Sequence, residues 1–425
     1  MTRFRIHHET PARPARLAPF AIALAAMALL GCQSMGGGPA TPASADPAAE
    51  MPASPWAELE SVKAYDELMA TLGQLRATIL ADARNEREAS EGMRFLLRTL
   101  TMGHVVSGEG YPPAPYFARM DTRRRKIGGD NPDGEYHNLV WDGRIPYRIT
   151  GNRGSVDHLS FTVLRMLPNG RQKAIGYLNE RDLELDADGN FTLWLTAEKP
   201  DAPGNWIQTG PEAGAGTMLV RQYFGDRSKE VAATYDVEVV GRPRYAPLPP
   251  STDEMIAAGI RGTTGAIRGV GFLHRYVSPS LGENPNQFKL SNSDDFGADI
   301  SSIDNLYVIG HYDIQADEAL LIEVEAMDVR FWNLAIENPW HESVDYWDRR
   351  TSRTHEDVTA DADGLIRFVV AHRLLEHPNA LETAGHERGF MTFRWVGERD
   401  TKAPLPRIQK GTIEEILAAA GETRR

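Results

Sequence analysis

The sequence predicts a mainly β protein with N-terminal α-helices and two duplicated β-sandwich domains, and three observations carry that reading. From Gly128 onward, short apolar or alternating runs are punctuated by Gly, Asn, Asp and Pro at intervals of about ten residues, the texture of an all-β sandwich and not of alternating strands and helices. A series of motifs also occurs twice, its members recurring 173 to 175 residues apart. Solenoid repeats have periods of about 20–50 residues, so a spacing this long means a duplicated domain. Ahead of Gly128, apolar residues fall at the three-and-four spacing of amphipathic helices.

Residues 1–31 have the layout of a secretory signal peptide. Arg3, Arg5, Arg13 and Arg16 precede an apolar run from Leu17 to Leu30, and Gly31 stands before Cys32, the only cysteine in the chain. The run is shorter than the roughly 20 residues that a membrane-spanning helix requires. The string Leu29-Leu30-Gly31-Cys32 resembles the signal of bacterial lipoproteins, which implies cleavage before Cys32 and acylation of that residue. Gln33 follows where an aspartate would retain such a protein at the inner membrane, so the expected location is the cell envelope, lipid-anchored at the outer membrane and facing the periplasm. More than one acyl chain gives stable anchoring where a single chain is marginal. Residues 32–54, rich in Gly, Pro, Ala and Ser, carry the anchor and a flexible tether with a reach of roughly 25 Å. The formal net charge of −13 disfavours nucleic acid as a partner. With Cys32 lipidated, no thiol is left for an internal disulfide.

Residues 55–127 form the helical segment. Ser54-Pro55 offers an N-cap and an N1 proline, and Leu59, Val62, Leu68, Met69, Leu72, Leu75, Ile79 and Leu80 supply one apolar face. A second helix is expected from Glu86 to Thr101. The first sandwich repeat occupies 128–241 and the second 278–410. Between them, 242–277 holds a proline-rich linker, Arg242 to Pro250, and a glycine-interrupted helix opened by the capping box Ser251-x-x-Glu254. Residues 411–425 form a C-terminal helix with its own box at Thr412 and Glu415. The first copy reads Asp188-Gly189, a strand over 191–195, Asn205 to Gly210, then Gly216 to Arg221. The second reads Asp363-Gly364, a strand over 366–370, Asn379 to Gly385, then Gly389 to Arg394. Both Asp-Gly pairs are expected in tight turns between strands.

The strings Gly128-Gly129-Asp130-Asn131-Pro132-Asp133, Tyr147 to Gly154, Asn205-Trp206, Phe331-Trp332-Asn333-Leu334, Thr383 to His386 and Gly389 to Trp395 resemble bacterial proteins containing domain of unknown function 1214. The resemblance covers the chain from about residue 90 to 400 and implies a jelly-roll-like sandwich, often present twice, with no established activity. In the second copy Ala380 stands where the family pattern has the tryptophan that Trp206 occupies in the first, which implies a weakened or altered second site if that tryptophan stacks on a ligand.

Asn205 and Asn379 precede turns, where asparagine either bonds nearby backbone or, alternatively, meets a ligand. Arg221 and Arg394, in predicted strands, suit a buried carboxylate or a bound one. His386 is a further ligand candidate in the second copy. Residues 340–348, with Trp340, His341, Tyr346 and the carboxylates Asp345 and Asp348, form the densest aromatic and acidic cluster. Such a cluster suits a sugar, because aromatic faces cover the apolar faces of a pyranose while polar tips orient its hydroxyls; a loop packed by its own aromatics is the more common explanation. No zinc-type ligand spacing, phosphate-loop motif or Gly-x-Ser-x-Gly elbow occurs, so neither a metal nor a cofactor is expected. The function expected is a lipid-anchored binder of a sugar-like or apolar small molecule. The alternatives are a hydrolase or lyase acting on an extracellular polymer through Asp345 and Asp348, and an envelope scaffold.

Overall fold

Asp253, at the start of one helix, caps another helix that precedes it by 193 residues, and this contact organises the helical end of the molecule. The computed structural model describes residues 54–126, 128–167, 172–243, 246–248, 250–277, 284–291, 304–397 and 402–422; Cys32 and the segments expected to be a signal peptide and a tether, up to residue 53, lie outside the described residues. Helix α1 (Glu60–Asp82) starts later than Pro55 predicts. The N–H groups of Glu60 and Ser61 donate to the Asp253 carboxylate at 2.7 and 3.1 Å, so a distant acid satisfies the orphan donors and meets the positive end of the helix dipole. Helix α2 (Glu86–Gly103) has Asn85 as its N-cap and runs on through a π turn at His104–Gly108. Helix α3 (Asp253–Val277) is capped by Thr252, whose Oγ1 accepts from the Met255 N–H at 3.3 Å, and not by Ser251. Leu68, Leu75, Ile79, Phe95 and Ile267 make the core of this three-helix layer, and Trp340 inserts into it from the second sandwich.

The first sandwich contains β1 (Ala118–Arg119), β2 (Gly134–Asp142), β3 (Tyr147–Asn152), β4 (His158–Met166), β5 (Gln172–Asn179), β6 (Asn190–Thr196), β7 (Asn205–Gln208), β8 (Ala215–Tyr223) and β9 (Thr234–Val239). The second contains β10 (Phe288–Ser291), β11 (Asn305–Asp313), β12 (Glu318–Glu325), β13 (Phe331–Glu337), β14 (Ser352–Thr354), β15 (Leu365–Ala371), β16 (Ala380–Glu382), β17 (Arg388–Val396) and β18 (Arg407–Thr412), and α4 (Ile413–Glu422) follows it. The expected duplication is visible strand for strand. The five-stranded sheets run β1-β2-β8-β4-β5 and β10-β11-β17-β13-β14, and the four-stranded sheets run β7-β6-β3-β9 and β16-β15-β12-β18. Strand β1 pairs with β2, so the first sheet begins inside the segment that the sequence assigns to helices. Gly189 and Gly364, with φ of 80° and 82°, take the left-handed conformation that the Asp-Gly turns demand.

Alternation along the strands separates two faces of each sheet. In the first sandwich Leu139, Phe161, Val163, Met218 and Val220 of the five-stranded sheet meet Ile149, Leu193 and Leu195 of the four-stranded one. The second core repeats this with Leu334, Ile336, Met391 and Phe393 against Ile322, Phe368 and Val370.

The outer faces of the two five-stranded sheets are buried against each other. Tyr223 lies 5.1 Å from Phe331 between ring centroids, and Asn305 Nδ2 donates to the Tyr223 hydroxyl at 2.9 Å. Asn333 Nδ2 donates to Asn131 Oδ1 and Asp133 Oδ2, both at 2.7 Å. Arg330 of the second sandwich pairs with Glu180 of the first, which also holds His158 at 3.0 Å. Arg394 donates to Glu337 Oε1 at 3.0 Å and to the Gly129 carbonyl at 2.9 Å, while His341 pairs with the other Glu337 oxygen. Burial alone pushes the Glu337 pKa up, but the His341 imidazole and the Arg394 guanidinium outweigh it and hold the carboxyl at about 2, below its ordinary 4.5. Glu180 is likewise held at about 2, where burial is outweighed by His158 and Arg330.

A carboxylate whose folded pKa is depressed stabilises the fold above its unfolded pKa, and that contribution is lost as pH falls through the folded value. Unfolding midpoints are therefore expected to drop between pH 4.5 and 2 as Glu337 and Glu180 take up protons. Arg394→Met leaves the buried Glu337 carboxylate with His341 as its remaining partner and is expected to cost about 3 kcal/mol at neutral pH by denaturant unfolding. Arg394→Met together with Glu337→Gln should recover much of that loss and flatten the acid limb.

Candidate functional site

Asn205 and Asn379 do the same structural job in the two copies. Asn205 Oδ1 accepts from the Glu184 N–H at 2.9 Å, and its Nδ2 donates to the carbonyls of Glu184 and Thr192. Asn379 Oδ1 accepts from the Thr359 N–H at 2.8 Å, and its Nδ2 donates to the carbonyls of Thr359 and Arg367. Each amide staples a loop to a strand, and with oxygen and nitrogen so engaged it corrects the expectation of a ligand contact. Arg221 and Arg394 lie in the seam, each opposite a tyrosine of the neighbouring strand, Tyr136 and Tyr307. Arg221 Nη1 donates to Thr162 Oγ1 at 2.9 Å. His386 is held by Glu91 of α2 at 2.8 Å and by the Thr383 carbonyl at 2.7 Å. Burial raises the Glu91 pKa, but His386 outweighs it, helped by Arg87 and Arg94, and the carboxyl sits at about 2.

The cluster at 340–348 does not form a cleft. Trp340 is buried, stacked on Phe95 at 6.1 Å, and its Nε1 donates to the Glu88 carbonyl at 3.0 Å. Its neighbour His341 is buried on Glu337. The Tyr346 ring covers the Lys126 ammonium at 3.8 Å. Asp345 is exposed and accepts from the Trp347 N–H at 3.2 Å in its own turn, and the exposed Asp348 faces Arg123 at 3.6 Å. Two solvated carboxylates with no walls around them do not make the acid and base of a glycosidase, so the hydrolase expectation loses its catalytic pair.

Behind this loop Lys126 Nζ lies 2.7 Å from Ser343 Oγ, and Ser343 Oγ donates to Asp130 Oδ2 at 2.6 Å. A serine beside a lysine suggests a nucleophile and its base. Here the lysine donates to the serine oxygen while the serine proton is held by Asp130, the reverse of what proton abstraction needs. Lys126 and Ser343 are both buried, so they tie the 126–133 loop to the 338–346 loop.

A different surface sets aromatic and polar side chains side by side. On the four-stranded sheet of the first sandwich, Phe191, Leu193 and Leu195 point into the core, so Thr192, Trp194 and Thr196 lie on the outer face. Register aligns Trp206, Trp194, Arg148 and Glu238 in one row across β7, β6, β3 and β9. The next row is Thr192, Thr150 and Asp236, and the one after it Asn190, Asn152 and Thr234. Rows of this kind lie about 6.6 Å apart along the strands, with strands about 4.8 Å apart. Trp194 Nε1 donates to the Pro203 carbonyl at 3.1 Å and Trp206 Nε1 to Thr196 Oγ1 at 3.1 Å, so both indoles are fixed in orientation. The Arg148 guanidinium sits 5.8 Å from the Trp194 ring centroid and pairs with Glu238 at 2.6 Å. Beside this row an open groove of about 630 Å³ is floored by Thr150, Thr192, Asn152 and Asn190 and rimmed by Glu184 and Asp186, a volume within the roughly 300–1,000 Å³ of small-molecule sites.

The second copy is an internal control. The row equivalent to Trp206, Trp194, Arg148 and Glu238 is Ala380, Val369, Leu321 and Gln409. Leu321 and Val369 are buried beneath Ile416 and Ala420 of α4. The next row, Arg367, Glu323 and Arg407, is closed by ion pairs from both arginines to Glu323. The second face is therefore covered by a helix, a stronger change than the loss of one tryptophan at Ala380. Trp194 is the functional candidate that sequence reasoning passes over. Its signal is the alternation itself, because an aromatic between Leu193 and Leu195 must face outward.

Residues 135–226, from within β2 to just past β8, match the model of a family described as protein of unknown function DUF1214. An uncharacterised protein from Burkholderia cenocepacia of known structure is similar over 84% of this chain and 99% of that one, at 28% identity and a TM-score of 0.76. A protein from Vibrio parahaemolyticus is similar over 74% of this chain and 100% of that one, at 11% identity and a TM-score of 0.42. No curated protein matches the chain.

Asn205→Ala and Asn379→Ala each leave partly buried backbone groups without their side-chain partner and are expected to cost about 1 kcal/mol or more of unfolding free energy apiece. Chemical denaturation of the two variants checks this, and losses confined to one copy would break the equivalence of the two staples.

Proposed function

We propose that this protein is a lipid-anchored binding protein of the bacterial envelope that takes a saccharide on the outer face of its first four-stranded sheet. One observation carries the reading: the same face of one duplicated fold bears Trp206, Trp194 and Arg148 in the first copy, and in the second bears Leu321 and Val369 covered by α4 beside an ion-paired row. An exposed sheet face needs no tryptophans for solubility, whereas two fixed indoles beside hydroxyl and amide groups match the apolar faces and polar edges of a pyranose. The resemblance to tandem domains of unknown function 1214 is consistent with a shared sandwich whose outer faces differ from copy to copy. The membrane end of the proposal rests on Cys32: acylated there, the protein would hang from the outer membrane by the 32–54 tether and present the sheet to the periplasm.

Affinity electrophoresis against a panel of plant, algal and bacterial polysaccharides tests the binding. At least one polymer should retard the protein. Trp194→Ala and Trp206→Ala should each weaken that retardation about tenfold, about 1.4 kcal/mol, while Trp347→Ala, an exposed tryptophan in the second sandwich, should leave it unchanged. Equal losses in all three variants, or no retardation by any polymer, would remove the reading. Cys32→Ser should move the protein from the membrane fraction to the soluble periplasmic fraction, and retention at the membrane would refute the anchor.

A further inference from the structure

Resting on the saccharide reading above, we propose that the face takes a chain of uncharged pyranoses laid across the strands, consecutive rings on Trp206 and Trp194, and turns away polyuronates. The direction follows from register. Trp206 and Trp194 are paired neighbours on parallel strands, about 4.8 Å apart at their backbones, comparable to the length of one pyranose unit. Along β6, by contrast, Trp194 is flanked on the same face by Thr192 and Thr196, so a chain running parallel to the strands would leave its aromatic contact after one ring.

The mode of contact follows from the hydrogen bonds. Both indole N–H groups are already engaged by the protein, at Pro203 and Thr196, which leaves the ring faces as the contact surface. Ring faces take the C–H face of a sugar and offer nothing to a carboxylate.

The selection by charge follows from what borders the two rows. Glu184 and Asp186 rim the groove, and Glu238 lies at the β9 end. Arg148 is the one cation in the aligned rows, and its guanidinium is already paired with Glu238 at 2.6 Å. Asp186 is tied into its own turn, accepting from the Asn190 side chain and backbone and from the Asp188 N–H, contacts that lower its pKa and keep it charged. The Glu184 carboxylate has no partner among the described residues. A uronate approaching this surface meets an excess of like charge, and close like charges oppose binding. A neutral sugar meets Thr150, Thr192, Asn152 and Asn190, donors and acceptors suited to hydroxyls.

The experiment uses the full chain in detergent and polymer pairs that share a backbone and differ in charge: hydroxyethylcellulose with carboxymethylcellulose, methyl-esterified with de-esterified polygalacturonate, and mannan with polymannuronate. The neutral member of at least one pair should bind in a Trp194-dependent manner, and its acidic partner at least tenfold more weakly. Glu184→Gln should narrow that gap. Oligomers of the preferred sugar should gain affinity steeply from one residue to two, and Trp206→Ala should abolish that step. Acidic polymers that bind as tightly as neutral ones through Trp194, or a length series with no step at two residues, would overturn this inference while leaving the saccharide site standing. Binding that ignores both tryptophans, or none at all, would overturn both.

Discussion

Everything else in this fold depends on the burial of two five-stranded sheets against each other. A two-sheet sandwich has two outer faces, and duplication makes four. Two of these are consumed where Tyr223 meets Phe331 and Asn305, and where Arg330 reaches Glu180. The helices close the rest of that region: Asn138 on the outer face of β2 donates to the Val106 carbonyl, and Phe390 on the outer face of β17 packs with Leu273 of α3. A third face is taken by α4. The remaining one carries Trp194 and Trp206, so its exposure is a consequence of how the other three are covered.

The elements most legible in the sequence are those whose cause is local. The Thr412 and Glu415 box forms as expected, with the Thr412 N–H donating to Glu415 at 2.8 Å and the Glu415 N–H to Thr412 at 3.3 Å. Asn85 caps α2 for the same reason, its partner being three residues away. What escapes the sequence has distant causes. Nothing near Ser54 reveals that α1 waits for Asp253, and nothing near Trp340 reveals that its ring leaves the sandwich for Phe95. The cluster at 340–348 is dense because it joins two layers, and density alone does not separate a junction from a binding site. Asn205 and Asn379 were legible as turn residues, whereas their bonding to two separate backbone segments depends on the folded sheet.

Trp194 shows the other side of this limit. Its outward direction follows from the alternation of Leu193 and Leu195, but its meaning does not, because exposed aromatics occur singly on many surfaces. It becomes informative only when register sets it beside Trp206, and when the equivalent Val369 is seen under a helix. The duplication supplies the comparison that one domain lacks. The two copies share strand order and the Asn staple, so the difference between their outer faces cannot be assigned to the needs of the fold itself.

The seam also explains why so much charge is buried away from the proposed site. A sheet face that met water in an isolated sandwich would carry polar groups, and docking two such faces buries Arg394, Glu337, Asn333, Ser160 and Thr162 together. Such groups contribute little net stability over apolar ones of the same shape, because desolvation offsets most of their attraction. They do penalise misdocking heavily, since a shifted interface would part Arg330 from Glu180 and Asn333 from Asn131 and Asp133. The polar seam thus sets the orientation of the two sandwiches more than it stabilises them. The tryptophan row lies on the other sheet of the first sandwich, on the far side of its core from the seam, so the groups that fill the seam leave it turned outward.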